Sequence, residues 1–253
     1  MNKYPMQKYE EWFKTYTNPF KEISNRYAKK GVLMKIDHSY RVEKLSDEIS
    51  VSLQLSKKEI FISKVIGIFH DVGRFEQLKN YNTFNDLKSL DHAKLGTEIL
   101  KKSDILSDFS NNEKELILKA IEYHNKYKIP NKEDKKTILF SNIIRDADKL
   151  DIYYVLANNL EPLSEKEEKE EFSEELIKTI LNSKLIIKEK AKTKKDQLLN
   201  VISFVFDLNF KESFKILKEK KYLSKILKRA TDKENSDKIN NHIEKFIELK
   251  IKV

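Results

Sequence analysis

Apolar residues recur every three or four positions over most of this chain, which is the period of helices with one buried face. Helices are predicted over about 10–16, 20–30, 34–53, 56–70, 92–100, 112–129, 135–160 and 198–206. Ser56 and Glu59 form a capping-box pattern at the start of one helix, whereas Gly31 and Gly73 are expected to end helices. The polar stretch 74–90 is predicted to be a loop.

The scarcity of turn residues strengthens the helical prediction. The 253 residues include only four glycines and four prolines, fewer than a β-rich domain of this size normally needs. With 39% hydrophobic residues the chain can bury a core, so we predict an all-α fold. We expect one domain over 1–253, with a core at about 32–160 and a C-terminal helical extension at about 161–253. The acidic stretch 164–175 and the lysine-dense stretch 188–195 are expected to be exposed parts of it.

The charge and the missing cysteines narrow the classes of function. Basic residues exceed acidic ones by nine (50 against 41), but the two signs are interleaved, so neither nucleic acid nor a membrane is the expected partner. A small phosphorylated substrate would suit the basic excess. The absence of cysteine excludes disulfides, thiolate metal sites and cysteine nucleophiles. No signal-peptide core and no run of 18 apolar residues is present, so we expect a cytoplasmic protein.

Histidine and aspartate stand side by side at the polar end of the most apolar predicted helix. A helix that is apolar on most of its circumference is buried, so it would deliver His70 and Asp71 into the interior. Imidazole and carboxylate groups are ligands for divalent transition metals. Three further histidines and one further aspartate could join this pair in a single buried centre. The six candidate ligands are then His38, His70, Asp71, His92, His124 and Asp148.

These six side chains would suffice for two ions. A bidentate Asp71 could bridge both, with His38, His70 and Asp148 on the first ion and His92 and His124 on the second, leaving open positions for water and substrate. The residues alone leave the last ligand open, because Asp146 and Asp151 lie on the same predicted helix as Asp148. Asp151 shares a helix face with Asp148 and stays the alternative.

Several motifs of this chain resemble those of the HD-domain metal-dependent phosphohydrolases. They are HSYRV at 38–42, FHDVGR at 69–74, the Asp91-His92 and Tyr123-His124 pairs, and ADKL at 147–150. The resemblance covers about residues 32–155 and favours Asp148 over its neighbours as the last ligand. It implies an all-α enzyme, and the two additional histidines imply its dinuclear type, holding two divalent transition-metal ions such as Fe, Mn, Ni or Zn. A Gly-Tyr-Pro element is missing, which disfavours cyclic dinucleotides as substrates.

The function expected from this resemblance is hydrolysis of a phosphate ester, such as a nucleotide, by metal-activated water. Asp71 and Arg74 are the predicted catalytic residues, with Arg74, Arg41 and Lys149 as candidates for binding the phosphate. The six-ligand pattern also resembles mixed-valent di-iron oxygenases such as myo-inositol oxygenase. A non-catalytic nucleotide- or nucleic-acid-binding module is the third hypothesis, which the complete ligand set disfavours.

Overall fold

The predicted all-α fold is confirmed by the computed structural model, which describes residues 5–159 and 163–252 and contains no β-strand within those ranges. The α-helices of the described residues are α1 (Gln7–Thr17), α2 (Arg26–Ser52), α3 (Lys57–Phe69), α4 (Gly73–Tyr81), α5 (His92–Lys102), α6 (Asn111–Tyr123), α7 (Lys135–Asn159), α8 (Glu165–Glu168), α9 (Glu174–Leu181), α10 (Lys194–Ser203), α11 (Lys211–Lys220), α12 (Tyr222–Ala230) and α13 (Lys233–Lys252). None of the described helices is long and apolar enough to cross a membrane.

The chain divides into two compact units, residues 1–147 and 148–253. The boundary lies inside α7, which matches the helix predicted over 135–160 except that Leu160 lies outside the described residues. Pro162, which interrupts the helical pattern in the sequence, also lies outside them. The expectation of one domain with a core at 32–160 stays a prediction.

The first unit is built around α3, which packs along α2. Ser56 and Glu59 form the predicted capping box at its start, with the Ser56 side chain accepting from the Glu59 backbone N–H. The predicted burial of α3 is confirmed, since Val65, Ile66 and Ile68 are at most 1% exposed. A side chain at Gly67 would place its Cβ 2.8 Å from the Glu43 Cα, so the glycine allows α2 and α3 to approach this closely.

Two glycines expected to end helices lie inside or at the start of helices instead. Gly31 is buried within α2, which runs unbroken over 26–52, and the side chains of Leu78 and Phe84 pack against it. Gly73 is the first residue of α4, so much of the predicted loop 74–90 is helical. No glycine in the described residues has a positive φ. Gly31 and Gly73 instead allow close packing, because they lack a side chain. Local sequence patterns do not distinguish this role of glycine from helix capping.

The helices that follow begin close to their predicted positions because polar side chains cap them. Asp91 accepts hydrogen bonds from the backbone of Ala93 and Lys94 at the start of α5. The helix predicted over 112–129 starts slightly earlier, because Ser110 and Glu113 form a capping box at the start of α6. Since α6 ends at Tyr123, His124 occupies its C-cap position and not its interior.

The second unit has a core of small helices, with α10 packed against α12 and α11 against α13. Its acidic and lysine-dense stretches contact each other, through an ion pair of 2.6 Å between Lys190 Nζ and Glu175 Oε1 and a hydrogen bond of 2.9 Å from the Lys194 backbone N–H to Glu170. The lysines at 188–195 are therefore partly neutralised by the acidic segment within this unit.

Candidate metal centre

The Asp71 carboxylate lies at the centre of four buried imidazoles. Its Oδ2 is 3.4 Å from His38 Nε2 and 3.3 Å from His70 Nε2. Its other oxygen, Oδ1, is 3.3 Å from His92 Nε2 and 3.8 Å from His124 Nε2. Asp71 and the four histidines are each no more than 7% exposed. Each oxygen of one carboxylate thus faces a different pair of imidazoles.

The two pairs come from four helices of the first unit. His38 lies in the middle of α2 and His70 directly follows α3, which brings their Nε2 atoms to 3.1 Å. His92 begins α5 and His124 directly follows α6, and their Nε2 atoms are also 3.1 Å apart. Three of the imidazoles, those of His70, His92 and His124, therefore lie at helix ends, and these three helix ends converge on Asp71.

Hydrogen bonds at the opposite ring nitrogen determine which tautomer three of these histidines adopt. Nδ1 of His70 lies 2.8 Å from the Gly67 carbonyl, and Nδ1 of His124 lies 2.6 Å from the Ile121 carbonyl. Nδ1 of His92 lies 2.7 Å from Asp86 Oδ2. Because carbonyl and carboxylate oxygens accept, each Nδ1 carries the proton and each Nε2 presents a lone pair to the centre.

This donor set fits divalent transition metals. The Nε2 atoms of His92 and His124 would direct two lone pairs at each other across 3.1 Å, an unfavourable arrangement that a metal ion bound by both would relieve. Burial and the charge of Arg74 lower the pKa of His92, which keeps its imidazole neutral and able to bind a metal. Groups that could hold an ion include His38–His70–Asp71 and Asp71–His92–His124.

Electrostatics keep Asp71 ionised in spite of complete burial. Burial alone would raise the pKa of its carboxyl, but the charge of the adjacent Lys35 opposes burial, and the pKa is held well below its usual range. The carboxylate is therefore available as an anionic ligand at neutral pH.

Lys35 is a site residue that sequence reasoning missed. Its ammonium forms an ion pair with Asp71 Oδ2, and its side chain is only 13% exposed. The available signal was its position three residues before His38, which places both side chains on one face of α2. Lysine is common throughout this chain, so that spacing did not stand out.

Arg74 is a half-buried residue of α4 whose guanidinium contacts protein acceptors. Its Nη1 lies 2.7 Å from Gln77 Oε1, 2.8 Å from the Phe84 carbonyl and 2.9 Å from Asp86 Oδ1. Its Nε lies 3.4 Å from Asp71 Oδ1, an ion-pair distance. Arg74 thus lies near the centre, but its Nη1 already contacts three acceptors, and its role in catalysis and phosphate binding stays a prediction.

The aspartates of α7 fall on either side of the boundary between the units. Asp146 is buried in the first unit, whereas Asp148 and Asp151 belong to the second. The Arg145 side chain donates to the Tyr123 and Lys126 carbonyls, which anchors this part of α7 beside the end of α6 that carries His124. Asp148 follows Arg145 by three residues on the same helix, and its role as a ligand stays a prediction.

The other two candidates for phosphate binding lie on different helices. Arg41 is half-buried on α2, one turn after His38. Lys149 forms an ion pair with Asp207, with 2.9 Å between Nζ and Oδ2, inside the second unit. Its ammonium therefore already has a carboxylate partner, whereas the role of Arg41 stays a prediction.

The comparison with known families agrees with the motifs around this centre. The model of the family described as HD domain matches residues 36–153, a range that starts just before His38 and ends just after Asp148. No curated protein and no solved structure matches the chain significantly. The family consists mostly of metal-dependent hydrolases. Residues 36–153 of this chain therefore match the HD-domain family, which is the family that its motifs resemble.

Proposed function

We propose that this protein is a phosphohydrolase with a dinuclear metal centre, acting on a small phosphate ester such as a nucleotide. The observation that carries the proposal is the division of the Asp71 carboxylate, whose Oδ2 faces His38 and His70 while its Oδ1 faces His92 and His124. A carboxylate between two separate imidazole pairs is the arrangement expected of a bridging ligand. Two divalent ions bound there would activate a water molecule and neutralise charge on a phosphoryl group.

The residues of the chain would divide between the two ions. His38 and His70 with Asp71 Oδ2 would hold the first, and His92 and His124 with Asp71 Oδ1 the second. Asp148 would supply the sixth ligand, as the resemblance of its ADKL motif implies, and it lies within the range that the HD-domain family model matches. With no more than six ligands for two ions, coordination positions are left for water and substrate.

The surroundings of the centre suit an anionic substrate. Lys35 and Arg74 both lie at ion-pair distance from Asp71, so two permanent cations flank the bridging carboxylate. In a buried site such cations stabilise negative charge more strongly than they would in water. With metal ions neutralising Asp71, the Lys35 ammonium would be able to bind a phosphate oxygen, so we include Lys35 among the candidates for substrate binding.

The decisive experiment joins metal analysis to a substrate panel. Protein purified without oxygen and loaded in turn with Fe²⁺, Mn²⁺, Ni²⁺ or Zn²⁺ should bind close to two ions per chain and release phosphate from one or more mononucleotides or other monoesters. A loaded protein that never exceeds one ion would contradict the dinuclear centre. Oxygen uptake with an iron-loaded sample, in the absence of phosphate release, would favour the oxygenase chemistry instead.

Separate loss of the two ions is predicted for single histidine variants. His38→Ala should mainly release the ion on the Oδ2 side of Asp71, and His92→Ala the ion on the Oδ1 side, because each removes an imidazole facing only one oxygen. Elemental analysis after exhaustive dialysis would then find about one ion in each variant. His242→Ala is the matched control, since this histidine lies in the second unit and contacts Ser183. Equal loss of both ions in both variants would argue against this division.

A further inference from the structure

The segment that joins α4 to α5 places a carboxylate against the outer nitrogen of one proposed metal ligand. Asp86, in a short 3-10 helix over Asp86–Lys88, has both oxygens close to His92 Nδ1, Oδ2 at 2.7 Å and Oδ1 at 2.9 Å. Both oxygens of this carboxylate thus face the Nδ1–H of His92, and Arg74 Nη1 lies 2.9 Å from Oδ1.

Two side chains of α4 hold this segment in place. Gln77 is fully buried, and its Nε2 donates to Asp86 Oδ1 at 2.8 Å, to Ser89 Oγ at 2.8 Å and to the Leu90 carbonyl at 3.0 Å. Arg74 donates to Asp86 Oδ1 and to the Phe84 carbonyl. We call Arg74, Gln77 and Asp86 the clasp. Asn125, next to His124, adds a contact of 3.3 Å to Asp86 Oδ2.

The clasp distinguishes His92 from two of the other imidazoles. His70 and His124 donate through Nδ1 to neutral carbonyls of their own helices, at Gly67 and Ile121. His92 donates to a carboxylate, which selects the same tautomer but also adds negative charge and makes Nε2 a stronger electron donor. The ion that His92 would bind therefore differs in its surroundings from the ion on the other side of Asp71.

We propose that Asp86, held by Gln77 and Arg74, is a positioning residue that orients His92 and strengthens binding of the ion on the Oδ1 side of Asp71. The inference rests on the dinuclear centre of the proposed function. It assigns to Arg74 a role through Asp86, because Nη1 is occupied by Asp86, Gln77 and the Phe84 carbonyl. Residues 82–90 are then a structural part of the metal centre, although none of them is a proposed ligand.

Chelator competition on the wild type and on two variants tests this role. Asp86→Ala should weaken binding of one of the two ions by about 10- to 100-fold, which is the usual effect of removing a carboxylate behind a metal-binding histidine, and leave the other unchanged. The affinity of Asp86→Asn for the weakened ion should lie between those of the wild type and Asp86→Ala, since asparagine keeps one acceptor oxygen for Nδ1 but loses the charge. In Co²⁺-loaded protein the absorption of one ion only should change. Glu113→Gln is the control, because this carboxylate caps α6 and pairs with Lys58 away from the centre.

The outcomes separate the two proposals. Wild-type protein that binds no more than one ion would overturn the dinuclear centre itself. Wild-type protein with two ions, together with Asp86→Ala protein that binds both with unchanged affinity, would overturn the role of Asp86 alone. Should Asp86→Ala fail to fold, Gln77→Leu removes the amide that supports Asp86 and keeps most of the buried volume; the same selective weakening is expected, and unchanged affinity for both ions would count against the clasp.

Discussion

Replacing Asp71 by alanine should release both metal ions and lower turnover of a phosphate ester by at least about 10³-fold. The reason is that one carboxylate faces both imidazole pairs, so its loss removes a ligand from each side and leaves neighbouring cations uncompensated. This factor corresponds to a loss of several kcal/mol in the stabilisation of the transition state by the metal ions, because each tenfold change in rate is about 1.4 kcal/mol. Elemental analysis and steady-state kinetics on the same preparations would measure both effects.

The control for Asp71→Ala is Asp37→Ala. Asp37 is an exposed carboxylate on α2, next to His38 in the chain, and its removal changes the net charge by the same amount. It should leave metal content and turnover close to the wild type. Asp71→Ala protein that still holds two ions would show that the carboxylate does not bridge them, and retained turnover would exclude it from the reaction.

Gly73→Ala should destabilise the first unit by roughly 3 kcal/mol or more and impair metal binding. A Cβ at this position would lie 2.1 Å from the His92 carbonyl oxygen and 2.6 Å from the Gly96 backbone nitrogen. Both are backbone atoms that cannot move aside, so α4 and α5 would have to separate, and His92 is part of α5. The midpoint of thermal unfolding should fall by roughly 6–12 °C, measured by circular dichroism beside the metal content.

Gly31→Ala provides the comparison for this substitution. Gly31 is also a buried glycine in a helix, but its added Cβ would meet the side chain of Phe84 at 2.9 Å and that of Leu78 at 3.2 Å. Side chains can shift, and alanine favours a helix by up to about 1 kcal/mol over glycine. The loss of stability should therefore be clearly smaller than for Gly73→Ala. Equal losses would mean that the contact between α4 and α5 is not specially tight.

Local chemistry made most of the helices predictable. The capping box at Ser56, the aspartate cap before His92 and the apolar circumference of α3 act within a few residues of the chain, so their physical effect can be recognised without knowing the fold. For the same reason the His70-Asp71 pair could be placed at the end of a buried helix. Close packing of Gly31 and Gly73 against other segments could not be recognised, because the neighbouring atoms are 40 or more residues away for Gly31 and in another helix for Gly73.

Residue types identified the candidates for the metal centre, but their geometry depends on tertiary packing. Histidine and aspartate in family motifs were enough to select His38, His70, Asp71, His92 and His124, which the structure brings together. The assignment of one pair to each oxygen of Asp71, the ion pair with Lys35 and the contact between Asp86 and His92 follow from how α2 to α6 pack. Such contacts join segments far apart in the chain. The sequence around a lysine or aspartate in a polar stretch does not indicate which side chain it contacts after folding.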